Sequence, residues 1–171
     1  PRILCSSITV GNDKVTPSSS VQNIGVILDS SLSMENEISA KCKSSWWQLH
    51  QLSKIKKYLT TEQLKSIVIN IILCKIDQNN SLLYKLPDTS TKKLQRVQNA
   101  AARMVTSARR QDDAAPLIFS LHWLRIKERI KFKILLNVYK CLNGIGSAYF
   151  TELLTDPVQT DQSYCFARTN L

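Results

Sequence analysis

The chain has little of what breaks regular structure. Four glycines and five prolines in 171 residues are too few for an all-β sandwich or barrel, whose many short strands each end in a turn. Cysteine is scarce and scattered. Cys5, Cys42, Cys74, Cys141 and Cys165 are odd in number and form no C-x-x-C pair, which argues against a disulfide framework or a zinc ribbon. They are expected to be reduced thiols, mostly small buried hydrophobes, of an intracellular protein, with nucleus and cytoplasm not distinguished. Long apolar runs are missing too. The longest, residues 67–76, is interrupted by Asn70 and Lys75 and falls short of the ~20 residues a spanning helix needs, so no membrane partner is expected. The chain opens Pro1-Arg2-Ile3-Leu4-Cys5 with no initiator methionine, and the expectation is a fragment.

The remaining composition is that of a folded chain, 43% hydrophobic and 21% charged, long enough to bury a core. Acid is the scarce charge: 23 Lys/Arg against 13 Asp/Glu give a net +10. The excess is local. Between residues 38 and 145, twenty Lys/Arg stand against six Asp/Glu, a net of +14, while the flanks carry three against seven. A concentrated positive field of this kind points to a polyanionic partner.

The periodicity predicts a mainly α fold, a bundle of about five helices preceded by a small β-hairpin or three-stranded sheet. Residues 1–32 read as the β segment, 33–155 as a basic helical domain and 156–171 as a frayed tail. Ile8-Thr9-Val10 and Lys14-Val15-Thr16 flank Gly11-Asn12-Asp13, a loop with hairpin chemistry, and residues 21–28 offer a third strand. Ser33 is the expected N-cap of a first helix ending near Leu59, with Ile38, Cys42, Trp46, Leu49, Leu52 and Ile55 as its apolar stripe. Thr60 and Gln63 have capping-box spacing. The helix they start turns Leu64, Ile67, Val68, Ile71 and Ile72 inward and is interrupted near Asp77-Gln78-Asn79-Asn80. A third helix runs over 90–107 with Leu94, Val97, Ala101, Met104 and Val105 on one face, and a short one follows over 116–124. Another spans 127–142, with Ile130, Ile134, Leu135, Val138 and Leu142 inward, and stops at Asn143-Gly144. Residues 148–154 add a turn or two.

Four phrases carry a resemblance. They are Asn23-Ile24-Gly25-Val26-Ile27-Leu28-Asp29; Leu94-Gln95-Arg96-Val97-Gln98-Asn99-Ala100-Ala101-Ala102-Arg103; Leu121-His122-Trp123-Leu124 followed by Lys127-Glu128-Arg129-Ile130-Lys131-Phe132-Lys133; and Tyr139-Lys140-Cys141-Leu142-Asn143-Gly144. In order and spacing they resemble the region downstream of the catalytic palm in LINE-type (non-LTR) retrotransposon reverse transcriptases, over roughly residues 21–154. The resemblance implies a thumb and its extension, which hold template–primer duplex, with the first phrase at the palm edge near the primer grip. It also implies that the Ala-Asp-Asp box and its Mg²⁺ belong to a palm lying upstream. The parent would be an RNA-directed DNA polymerase; this part would not be an enzyme on its own and would carry no cofactor. Two positions depart from the pattern: Gln78 stands where the family has an aromatic, and Arg125 where it has proline.

Asp112-Asp113 is the one adjacent carboxylate pair, but its flanks Arg109-Arg110-Gln111 and Ala114-Ala115-Pro116 form a loop entering a helix, so capping is preferred over metal binding. Asp29 at a strand end reads the same way, into Ser30-Ser31. His50 and His122 lack partners at metal spacing, and no nucleophile is paired with a base. The basic residues differ in kind. Lys54, Lys56 and Lys57 end the first helix; Lys92, Lys93, Arg96 and Arg103 line the third; Arg109 and Arg110 follow it; Arg125, Lys127, Arg129, Lys131 and Lys133 crowd the last long one, with Glu128 the only acid among them. Phosphates would relieve their mutual repulsion and release counterions. The expected partner is RNA, DNA or an RNA–DNA hybrid, with the rest of the polymerase as a further candidate; the rival reading is a protein-interaction or relic helical domain with no ligand. Trp46, Trp47 and Trp123 could stack on bases, although anchoring the core is the preferred role.

Overall fold

The computed structural model describes residues 7–155. The chain divides into two compact units, Pro1–Lys131 and Phe132–Leu171. The expected frayed tail and the thiols of Cys5 and Cys165 lie outside the described residues. The mainly α architecture is as expected: two small hairpins, then helices.

In the first unit, β1 (Ile8–Val10) pairs antiparallel with β2 (Asp13–Val15). The predicted third strand is itself a hairpin. β3 (Ser20–Asn23) returns as β4 (Val26–Asp29), with Asn23 opposite Val26, so the described residues form two separate two-stranded sheets rather than one of three strands. The connection is Ile24-Gly25, both at positive φ (46° and 76°), the two-residue geometry that matches strand twist. A branched residue is rare there, which is why the sequence pattern conceals the turn.

Helix α1 (Glu35–Ile55) starts one residue later than expected. Met34, in the left-handed conformation, is its N-cap without a side-chain cap bond, and Asp29 holds the turn that leads into it. Its carboxylate accepts from the Ser33 amide at 2.9 Å, the Met34 amide at 3.0 Å and the Ser31 hydroxyl. These donors, the Ser31 hydroxyl foremost, hold the Asp29 carboxyl well below the usual carboxylate range. The buried stripe of α1 is Ile38, Lys41, Ser45, Leu49 and Leu52. The expected Cys42 is only half-buried, and Ile55, Trp46 and Trp47 are exposed. Trp46 therefore does not anchor the core; Trp123 is the buried indole. The cause is a charge inside: Lys41 lies 3.1 Å from Glu37 and donates to the Gln78 carbonyl at 2.5 Å, while Glu37 accepts from the Ile27 amide at 2.9 Å. That buried pair ties β4, α1 and the loop after α3 together.

The α1 helix ends in a 3₁₀ turn, Lys56–Tyr58. Helix α2 (Thr61–Val68) opens with the predicted capping box, Thr60 and Gln63 each bonding the other's backbone amide. A π turn, Ile69–Leu73, leads into α3 (Cys74–Asp77). The π turn inserts one residue into the period. Leu64, Val68 and Ile72 are buried as expected, but afterwards Leu73 and Ile76 face inward, and Ile71 faces water. Left-handed Asn79 ends the segment before a 3₁₀ turn, Asn80–Leu83. Helix α4 (Asp88–Thr106), N-capped by Pro87, buries Leu94, Val97, Gln98, Ala101 and Val105. It packs on α1, α2 and the short α5 (Ala114–Ser120). Helix α6 (Ile126–Leu142) begins in this unit.

In the second unit, α6 runs on to Leu142, and Gly144 adopts positive φ, as the Asn143-Gly144 stop predicts. Contrary to expectation, Leu135 and Leu142 are exposed. Cys141 is buried against the turn, where a Cβ on Gly146 would lie 2.5 Å from its sulfur. Helix α7 (Ala148–Thr155) follows. Of the described thiols, only Cys141 matches the buried-hydrophobe expectation: Cys42 is half-buried, its thiol pushed up by burial, and Cys74 is exposed.

Candidate nucleic-acid interface

Of the Asp112-Asp113 pair, Asp113 takes the expected capping role and Asp112 closes the loop before it. Asp112 accepts from the Arg109 amide at 2.6 Å, and Asp113 is the N-cap of α5, accepting from the Ala115 amide at 3.1 Å. Both carboxylates are used in holding the loop. Among the described residues no group of three His, Cys, Asp or Glu side chains converges. His50 and His122 are exposed, and His122 adopts positive φ in the turn between α5 and α6.

The cations fall into distinct places. Two α4 residues, Gln95 and Gln98, fix the start of α6. Gln98, fully buried, donates to the Leu124 carbonyl at 2.8 Å and accepts from Gln95 at 2.9 Å; Gln95 in turn accepts from the Ile126 amide at 3.0 Å. This clamp satisfies one amide of the α6 N-terminus and brings Lys92 of α4 beside Arg125 and Lys127. A cleft of about 260 Å³ lies there, lined by Thr91, Lys92, Gln95, Arg125, Lys127 and Glu128 among others. A second cleft of about 210 Å³ shares Thr91 and Lys127 and adds Tyr84, Lys85, Asp88 and Lys131. Together the two clefts gather Lys85, Lys92, Arg125, Lys127 and Lys131, opposed only by Asp88 and Glu128. Lys127 lies 2.7 Å from Asp88, with both side chains more than half exposed. Lys127, by hydrogen bond and charge, pulls the Asp88 carboxyl below its ordinary range. An exposed pair of this kind is worth only about 0–1 kcal/mol, so Lys127 can exchange its carboxylate for a phosphate at little cost.

A second basic group sits at the other end of α4. Lys56 and Lys57 line a cleft of about 380 Å³ with Ser53, Thr61 and Ser107. Lys57 stands 4.8 Å over the Tyr58 ring, and Lys54 donates to Gln51 at 3.3 Å. The 19 residues of α4 separate the two groups by about 27 Å at 1.5 Å per residue.

Other predicted residues belong to neither group. Lys93 and Arg96 are exposed on α4, with Lys93 close enough to the Cys42 thiol to favour its thiolate. Arg103 donates through Nε and Nη2 to the Asp112 carbonyl at 3.0 and 2.9 Å, bracing the loop from within. Arg109 and Arg110 are exposed in that loop. Arg129 forms a two-pronged ion pair with Asp77 and is half-buried; that hydrogen bonding holds its guanidinium above the ordinary range. Arg103 and Arg129 therefore serve the fold. Lys133 is an exposed residue of α6 in the second unit. Sequence reading missed Lys85, which holds positive φ in the link between the 3₁₀ turn and α4; its adjacency to Tyr84 was the available signal.

Comparisons with protein-family models, with curated proteins and with solved structures give no match for this chain. No described helix is long and apolar enough to cross a membrane.

Proposed function

We propose that this chain is a non-catalytic, nucleic-acid-binding part of a retrotransposon reverse transcriptase, gripping the backbone of a template–primer duplex. The observation that carries the reading is the cationic strip at the N-terminal ends of α4 and α6, where two adjoining clefts share Lys127 and hold five cations against two carboxylates. Such a strip meets phosphates by charge and carries no base-reading geometry, so binding is expected to be indifferent to sequence. The amides at the two helix ends favour anions in the same direction. The four phrases resembling LINE-type polymerases supply the choice of a template–primer duplex among polyanions. Polymerisation would belong to the parent RNA-directed DNA polymerase and its palm, and an Ala-Asp-Asp box encoded in frame upstream of Pro1 is the expected genomic context.

The test is a fluorescence-anisotropy titration of a short RNA–DNA hybrid at several salt concentrations. With three to five phosphate contacts, log K should fall against log salt with a slope of about −2.5 to −4.5. Substituting Lys92, Arg125 and Lys127 together by Ala should flatten the slope by about 2 to 3. Absence of binding at low salt, or an unchanged slope in the triple variant, would reject the proposal.

A further inference from the structure

The outer face of α1 carries two indoles that the proposed function leaves unused. Trp46 and Trp47 are 46% and 63% exposed, although tryptophan is among the side chains that gain most from burial. The buried stripe of the helix runs through Lys41, Ser45, Leu49 and Leu52; at about 100° per residue Trp47 falls opposite it and Trp46 on one flank. Their helical neighbours outside that stripe are Cys42, Lys43, Ser44, His50 and Gln51, of which four are polar. Two indoles set among polar side chains make no continuous apolar patch of the kind a protein partner covers. Cations frame them instead. No acid occurs between residues 38 and 61; the acids of α1 are Glu35, in its first turn, and Glu37, paired inside with Lys41. Lys43 and Lys54 are exposed on the face of Trp47, about 16 Å apart along the axis. Lys75 of α3 donates to the Ser44 hydroxyl at 2.7 Å, adding a cation on the Trp47 side. Lys93 of α4 stands near Cys42, adding one on the Trp46 side.

We infer that this face is a platform for single-stranded nucleic acid, whose unpaired bases stack on Trp46 and Trp47 while Lys43, Lys54, Lys75 and Lys93 meet the flanking phosphates. Aromatic rings set between cations match what such a strand offers: every base has a face to stack, and every phosphate a charge to neutralise. A duplex fits poorly, because its bases are stacked on one another and only unpaired ones can be splayed onto an aromatic side chain. Stacking does not read base edges, so the platform tolerates any sequence. The surface shares no residue with the clefts of α4 and α6, and the inference does not rest on a duplex being held there.

The experiment uses the full chain, freed of nucleic acid, with Lys92, Arg125 and Lys127 replaced by Ala so that the strip does not contribute. An oligothymidylate of about 12 nucleotides is titrated in at about 50 mM salt. Tryptophan emission should fall on binding, because of the three tryptophans Trp123 is buried and only Trp46 and Trp47 are open to a base. An abasic oligomer of the same length, which keeps the phosphates and lacks the bases, should bind at least tenfold more weakly. Adding Trp46→Ala and Trp47→Ala should weaken binding of a labelled oligothymidylate, followed by anisotropy, at least tenfold. Trp46→Phe with Trp47→Phe keeps a stacking face and should stay within about threefold. Absence of quenching, equal affinity for the abasic oligomer, or indifference to the paired alanines overturns the inference. Each of these leaves the hybrid titration of the strip untouched, and failure of that titration leaves the platform standing.

Discussion

The buried pair Glu37–Lys41 lends itself to a quantitative test. Both side chains are nearly inaccessible, at 3% and 6%. Each also bonds the backbone of a different element: Glu37 the Ile27 amide in β4, Lys41 the Gln78 carbonyl after α3. Lys41→Met leaves the carboxylate buried without its cation, and Glu37→Leu leaves the ammonium with one carbonyl; either change should cost about 3–5 kcal/mol. Replacing both removes the two desolvated charges together. What remains is an orphaned Ile27 amide and an orphaned Gln78 carbonyl, at about 1–3 kcal/mol each, offset by better apolar packing, so the double variant should lose about 2–4 kcal/mol. The singles would sum to roughly 6–10 kcal/mol. A domain of this size holds about 5–15 kcal/mol in total, so the single variants should be close to unfolding while the double variant remains folded. Urea unfolding followed by far-UV circular dichroism at low temperature reads all four species. Additivity of the two substitutions within about 0.5 kcal/mol would refute the pair as the link between hairpin and helices.

Two further outcomes follow from local geometry. Ile24 occupies the first position of a two-residue turn at φ 46° and is exposed, so Ile24→Asn, giving Asn-Gly in that turn, should raise stability by about 1 kcal/mol; a loss in thermal unfolding would show that the turn differs. Asp29 has its folded-state pKa depressed by the Ser31 hydroxyl and the Ser33 and Met34 donors. Its contribution is therefore present above the unfolded value of about 3.9 and is lost as pH falls towards the folded one. Melting temperature should drop on acidification from about pH 5 to pH 3, and Asp29→Asn should make that drop shallower; equal drops would mean the Asp29 turn is not formed.

The sequence was most legible where structure is decided locally. Thr60 and Gln63 declare their capping box by spacing alone, Asp113 caps α5 from within a loop, and Asn143-Gly144 ends α6. It misled where a core position is polar. A stripe read by hydrophobicity assigned Cys42 and Trp46 to the inside of α1. The helix in fact buries Lys41 and Ser45 beside them, because Glu37 and the Gln78 carbonyl satisfy the lysine while the Ile27 amide satisfies Glu37. Nothing in residues 37–41 alone announces partners at Ile27 and Gln78. The π turn at Ile69–Leu73 is a second case: all five residues are compatible with an unbroken helix, and only the tertiary burial of both Ile72 and Leu73 shows the added residue.

The charge excess was legible as an amount but not as a surface. Fourteen cations were picked out by their abundance. Arg129 is committed to Asp77 and Arg103 to the Asp112 carbonyl, so neither supplies the open field that abundance suggests. The five cations of the strip come from three separated stretches of sequence, around residues 85, 92 and 125–131, and they converge through uncharged residues. Gln98 reaches the Leu124 carbonyl and Gln95 the Ile126 amide, setting the first turn of α6 against the first turns of α4. Both glutamines lie inside the second of the four phrases; Leu124 belongs to the third and Ile126 lies in the gap between its two parts. Two of the phrases are thus bound to each other by the hydrogen bonds that hold Lys92 beside Arg125 and Lys127. Cations fixed at helix starts by a buried amide network lose little further backbone freedom when a phosphate arrives, which lowers the ordering cost of binding. Loosening the junction with Gln98→Ala should therefore weaken hybrid binding while leaving every cation in place. A purely additive charge effect would leave affinity unchanged in that variant.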